Sequence, residues 1–192
     1  MTMWRMFVAL AALGLLGSCA SVSQEECLAG NWAAIGERDG RQGQVPATIL
    51  ARHDSACARV DVTPDRSQWQ QGYERGLAQY CTPSGGLEAG RAGRPYRNVC
   101  PASAEPRFLD GFELGRAGHR AEERVRSTER EISQLQARRR SLLAEDGEDA
   151  DARRREAGLI QSELGMLRLE LLAARNELAR VEREIRRFRA GL

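Results

Sequence analysis

The chain contains no lysine: all 29 of its basic residues are arginine. They face 27 acids and the formal net charge is only +2. A balance this close to neutral provides no long-range field to concentrate nucleic acid or acidic substrates, so nucleic acid is not an expected partner. Aromatic residues make up only 5% of the 192 residues, which suits one small packed domain plus an extended element rather than two large cores. No two cysteines form a C-x-x-C pair, the commonest zinc spacing, so no metal is expected. No apolar run reaches the roughly 20 residues that a membrane-spanning helix needs. No serine, threonine or free cysteine is set in a nucleophile elbow. The chain is therefore not expected to be an enzyme, nor to need any cofactor beyond a covalent lipid.

What is present begins with an address. Residues 1–18 read as an export signal: Arg5 supplies the positive n-region, and Met6 to Leu16 is an eleven-residue small-or-apolar run. The run ends in Leu16, Gly17, Ser18 and Cys19, which resembles a bacterial lipobox. That resemblance implies a diacylglyceryl group on the Cys19 thiol, cleavage before Cys19 and acylation of the new amine by a palmitate-like chain. Small residues at 17 and 18 leave the scissile bond accessible. Three acyl chains exceed the two-signal threshold for stable anchoring. Ala20, rather than an aspartate, follows the cysteine. For a lipoprotein this implies the periplasmic face of the outer membrane.

After Cys19 come Cys27, Cys57, Cys81 and Cys100, separated by 30, 24 and 19 residues. An even count in an oxidising compartment reads as two disulfides, and local helices choose among the three connectivities. Ser23 and Glu26 form a possible capping box for a helix over residues 24–41. A second helix is expected over residues 47–60, antiparallel to the first across the Gln44–Pro46 turn. This places Cys27 beside Cys57. A third helix starts at Thr63 and Pro64, a cap followed by proline at the first helical position, and ends at Tyr80–Cys81. A Pro/Gly-rich loop then returns to Cys100. The expected pairs are Cys27–Cys57 and Cys81–Cys100.

Three segments repeat an aromatic followed by G-x-x-x-G: Trp32 with Gly36 and Gly40, Trp69 with Gly72 and Gly76, Phe108 with Gly111 and Gly115. An isolated glycine costs a helix about 1 kcal/mol relative to alanine. Six in phase therefore need a compensating gain, here the close packing of three soluble helices. A ligand groove floored by the glycines is the alternative. The wider pattern runs W-x3-G-x2-D-G-x2-G, H-x3-C, P-D, G-x3-G-L-x2-Y-C-x-P and G-x3-G-x2-G-x2-Y-x2-V-C-P, from Trp32 to Pro101. It resembles the domain of unknown function 2799, small lipoproteins of mostly Gram-negative bacteria. The resemblance covers roughly residues 27–118 and implies location and a shared fold, but no activity.

Candidate site residues are Trp32, Asp39, His53, Asp65, Tyr80 and Tyr96. His53 precedes Cys57 by one turn, and an acid–base pair with Asp39 across the helical hairpin is conceivable. Packing is the commoner role for a lone histidine on an amphipathic helix. Asp39 is expected to tie to Arg75 or to a helix end. Asp65 should lie in a first helical turn, where the helix dipole favours a carboxylate. Tyr80 and Tyr96 should pack the Cys81–Cys100 loop.

From residue 119 the composition changes to 17 arginines and 15 acids in 74 residues. Ala157, Ile160, Leu164, Leu167, Leu171, Ala174, Leu178, Val181, Ile185 and Phe188 alternate steps of three and four, a sustained heptad pattern. Val125, Thr128, Ile132, Leu135, Arg139 and Leu142 form a weaker first arm. The polar break around Gly147 sits where a hairpin needs a turn, and the hairpin sets second-arm glutamates opposite Arg124 and Arg138. A parallel dimer through the same seam is the alternative.

The expected architecture is all-α: signal peptide 1–18, a small disulfide-stapled helical domain 19–118, and a long antiparallel coiled-coil hairpin 119–192. The expected function is that of an outer-membrane lipoprotein of structural or protein-interaction type. It would be held by its lipid and would meet a protein partner, or itself, through the coiled coil. Alternatives are a ligand- or peptidoglycan-binding periplasmic module and, more remotely, a small envelope enzyme around His53 and Asp39.

Overall fold

The computed structural model describes residues 21–144, 147 and 149–192. The expected export signal and lipobox fall within residues 1–20, outside the described residues. The described residues form helices with no strand: α1 (Gln24–Ala29), α2 (Trp32–Arg41), α3 (Pro46–Cys57, continued by a 3₁₀ turn Ala58–Val60), α4 (Arg66–Tyr80), α5 (Pro83–Arg91), α6 (Glu105–Ala144) and α7 (Ala150–Ala190). None is long and apolar enough to cross a membrane.

Local chemistry explains most boundaries. Ser23 and Glu26 form the expected capping box at the start of α1. The single helix expected over residues 24–41 is in fact two. Gly30 adopts φ +65°, a left-handed cap that ends α1, and Asn31 accepts the Ala34 N–H to start α2. The helix expected from Thr63–Pro64 begins later, at Arg66. Asp65 caps it, accepting the Gln68 backbone N–H at 3.0 Å. The Pro/Gly-rich stretch expected as a loop contains α5, opened by Pro83 in its first turn and a Thr82 cap that accepts the Gly85 N–H.

Both expected disulfides are present, Cys27–Cys57 and Cys81–Cys100, with Cα separations of 5.6 and 5.5 Å. The expected boundary at residue 118 falls inside α6, a single helix. The chain divides instead into two compact units. One takes the described residues up to Tyr80 with Arg97–Val99; the other takes Cys81–Tyr96 with Cys100–Leu192.

The glycine motifs pack in two pairs rather than as a trio. In the first unit α2 lies on α4. A methyl group added at Gly36 would stand 2.0 Å from the Trp69 carbonyl oxygen, and one at Gly72 would stand 1.9 Å from that of Ala33. In the second unit α5 lies on α6 in the same way: a methyl added at Gly86 would stand 2.0 Å from the Phe108 oxygen, and one at Gly111 2.0 Å from that of Pro83. The correspondence continues residue by residue. Gly40 meets Tyr73 as Gly90 meets Phe112, and Gly76 meets Glu37 as Gly115 meets Leu87. Gly43 (φ +60°) sits under the Tyr80 ring as Gly93 (φ +66°) sits under His119. Each copy carries G-x3-G-R-x-G on its first helix and an aromatic-x2-G-aromatic-E-x-G-x-A run on its second. In each, a disulfide joins a cysteine ahead of the first helix to one ahead of the second. The two units are thus built on two copies of one stapled helix pair.

The cores around these pairs differ. The first unit buries Val22, Trp32, Ile35, Ile49, Trp69 and Tyr73 around Cys27–Cys57. The second packs Tyr96 against Phe108 in a tilted contact at 4.8 Å and stacks Phe108 on Phe112 at 5.8 Å. It then extends α6 into an antiparallel pair with α7. Every seam residue predicted from the heptads is buried or half-buried. Arg138 pairs with Glu156, and Glu129 with Arg175 at 2.7 Å. Arg180 first, and Arg124 after it, hold Glu177 below the usual carboxylate range. Arg91 of α5 bridges to both arms, reaching Glu122 at 2.6 Å and Glu182 at 2.9 Å.

Candidate functional site

The first unit holds a buried polar chain where a helix pair of this kind has no need of one. α2 carries Asp39 on the face turned to α4, and α3 carries His53 back against it. Both are sealed, at 3% and 0% exposure. The His53 Nε2 stands 2.8 Å from Asp39 Oδ2, and Trp69 of α4 donates its indole N–H to the same oxygen at 2.8 Å. On the far side of the ring, Nδ1 stands 2.8 Å from the Ser21 hydroxyl. With Asp39 ionised and Nε2 protonated, Nδ1 accepts the proton of Ser21. The order is serine, imidazole, carboxylate, the connectivity by which hydrolases activate a serine, with the two ring nitrogens exchanged. Trp32 closes the site beside the ring, 6.4 Å from His53.

The imidazole is wholly enclosed. Two amides of the following helix start are committed to its cap: Ser23 N–H donates to the Glu26 carboxylate, and Glu26 N–H to the Ser23 hydroxyl. The second unit provides the comparison. In its copy of the helix pair the position of Asp39 is Ala89 and that of Trp69 is Phe108, both fully buried. The fold motif therefore packs without the polar chain. In the first unit the chain ties together α2, α3, α4 and the segment at Ser21.

Of the sequence candidates, the structure brings Trp32, Asp39 and His53 together. Asp39 does not tie to Arg75, which instead reaches Glu37 at 3.8 Å. Asp65 is a helix cap away from this cluster. The Tyr80 ring covers Gly43. Tyr96 packs on Phe108, donates to Glu105 at 2.7 Å and accepts the Cys100 N–H at 3.3 Å, so it does brace the second disulfide loop. The glycine faces leave no groove for a ligand, because backbone of the partner helix occupies them. Ser21 and Trp69 are the members missed in the sequence. Trp69 stood out as a packing aromatic of the glycine motif, not as a donor. Nothing in sequence spacing connects Ser21 to His53. Among the described residues, no group of three His, Cys, Asp or Glu side chains is placed to hold a metal.

Tyr73 stacks on Trp69 at 4.8 Å and donates its hydroxyl to the Gln44 carbonyl at 2.7 Å. Burial first, then the Asp39 charge and Tyr80, push its pKa up to about 12. The folded chain thus holds this proton more tightly than the unfolded chain. The stabilisation is complete below the unfolded value of about 10 and is lost as pH rises through the folded value. Urea denaturation followed by tryptophan fluorescence should show the first unit weakening across that window. Tyr73→Phe should flatten the dependence, at a neutral-pH cost of about 1 kcal/mol for the lost hydrogen bond.

Residues 31–117 match the model of a family described as Protein of unknown function (DUF2799). No curated protein and no solved structure matches the chain. The matched stretch opens at the Asn31 cap of α2 and closes in α6 one residue before Gly118, so it contains both copies of the helix pair. On that ground the region of residues 31–117 is assigned to the DUF2799 family.

Proposed function

We propose that the protein is a lipid-anchored outer-membrane lipoprotein of the periplasmic face, without catalytic activity, whose helical hairpin is a protein-contact element with a second copy of itself as first partner. The observation that carries this reading is an apolar stripe on α7 turned away from α6. Leu159, Met166, Leu169 and Leu172 are 73%, 67%, 71% and 58% exposed. Beside them Gly158 and Gly165 face open space, with no atom within 4 Å of an added methyl. Helical glycine has a cost that nothing within the chain offsets here. Knobs at 159 and 166 and gaps at 158 and 165 repeat at one heptad, so one such face complements another.

The lipid supports the same picture. Cys19 lies two residues before Ser21, and two residues span at most about 7 Å. Ser21 is bonded into the core of the first unit. A lipid on Cys19 would hold that unit directly against the headgroups, with no linker between.

Sedimentation of the mature, non-lipidated chain over a concentration series tests the contact. A reversible dimer is expected, and Leu159→Glu with Leu169→Glu should abolish it. A monomer at every concentration, together with no crosslinked adduct in cells from a photoreactive group at position 169, overturns the reading. A second reading, a small envelope hydrolase, is favoured by the Ser21–His53–Asp39 order alone. A fluorophosphonate probe that leaves Ser21 unlabelled removes it.

A further inference from the structure

The second unit has its own site on the flank of its helix pair, where a cavity of about 610 Å³ opens between residues 93–96 and the face of α6 from Leu109 to Arg120. Tyr96, Phe112 and three arginines, Arg94, Arg116 and Arg120, line it. Arg116 lies over the Phe112 ring at 5.7 Å and reaches Glu113 at 3.4 Å. Among the described residues Arg94 and Arg120 have no acidic partner. His119 completes the rim. Its Nδ1–H donates to the Arg91 carbonyl at 3.1 Å, and among the described residues Nε2 has no hydrogen-bond partner.

Comparison of the two copies shows that these charges are no requirement of the fold. The positions of Arg94, Arg116 and His119 correspond to Gln44, Leu77 and Tyr80 in the first unit, on the same set of backbone contacts. Leu77 there packs on the apolar core. The second copy thus carries a basic flank where the first is uncharged, while keeping the helix pair.

We infer that this cavity binds a phosphate monoester carried on a sugar or other ring. Three arginines against one glutamate leave an excess of two positive charges, which matches a dianionic phosphate better than a single carboxylate. Planar guanidinium forks suit phosphate oxygens. The half-buried Tyr96 ring offers the attached ring an aromatic contact, and the volume lies in the range of small-ligand sites. The phosphate has two possible sources, a free sugar phosphate or the headgroup of a lipid.

The test uses the full lipidated protein in neutral detergent, titrated calorimetrically with glucose 6-phosphate, and separately with glucose and with inorganic phosphate. A parallel arm measures flotation of the non-lipidated mature chain with vesicles containing phosphatidylinositol 4-phosphate, a lipid whose phosphate monoester is carried on a ring. Saturable binding of glucose 6-phosphate is expected, weakened at least about tenfold in the Arg94→Gln, Arg120→Gln double variant. Both side chains are exposed, so the melting temperature should not move. Vesicle binding that depends on the same two arginines, without binding of the soluble sugar phosphate, supports the site with a lipid as its source. Glucose binding as well as its phosphate, equal affinity in the double variant, or no binding in either arm overturns the inference.

Discussion

Gly36→Ala is expected to unfold the first unit. The added methyl would meet the Trp69 carbonyl oxygen at 2.0 Å, and the next nearest atoms, Trp69 C and Tyr73 N, are backbone too. A side chain can rotate away from an intruding methyl, but a helix backbone cannot, so α2 and α4 must part. Overpacking of an ordinary core costs about 1–3 kcal/mol. Here the contact between the helices is itself forfeited, and a loss of at least about 3 kcal/mol is expected. Tryptophan fluorescence isolates the effect, because Trp32 and Trp69 both belong to the first unit while the described second unit contains no tryptophan. Gly158→Ala is the control. Its methyl enters open space, so below the concentration at which copies associate it should stabilise α7 by up to about 1 kcal/mol. The same chemical change with opposite signs would establish that close approach, and not glycine content, holds the pairs together. Equal and small effects would refute it.

Asp39→Ala has the second largest expected effect. It leaves a buried imidazole without its acceptor and a buried indole N–H without any, since both donate to Asp39 Oδ2. Removing one partner of such a buried pair typically costs about 3–5 kcal/mol. The second unit indicates how to recover it, because there Ala89 and Phe108 fill the corresponding places. Adding Trp69→Phe and His53→Leu to Asp39→Ala should restore more than half of the lost stability, since removing both partners of a hydrogen bond is far cheaper than stranding one. The reading given to the polar chain depends on this recovery. A single variant as stable as the parent would mean that the buried hydrogen bonds contribute nothing. A triple variant as unstable as the single one would mean that the side chains matter for shape alone.

The cysteine pairing was legible because each bridge closes over neighbouring helices whose caps and turns can be read in order. The hairpin seam was legible because a 3.5-residue repeat needs no knowledge of the partner to show which residues face inward. α5 was not legible. Its three glycines, Gly85, Gly86 and Gly90, argue against a helix when read locally, and only contact with α6 outweighs them. The break at Gly30 was signalled by a glycine followed by an asparagine cap, yet the flanking apolar pattern continued through it. The candidate site was half legible. Asp39 and His53 could be paired across a turn, but Trp69 and Ser21 come from 30 and 32 residues away in sequence.

By itself the sequence determined an all-helical chain, the two staples and the inward face of each hairpin arm. These are one-dimensional properties, set by spacing, capping and residue type along the chain. The tertiary structure decided which glycine helix meets which, that the motif occurs twice, that Asp39 turns to His53 and not to Arg75, and that Arg94 and Arg120 converge on one cavity. Each of these depends on which surfaces two helices present at contact. That choice rests on a difference of a methyl group or a hydrogen bond between elements distant in sequence, and it acquires an energy only once the chain has folded.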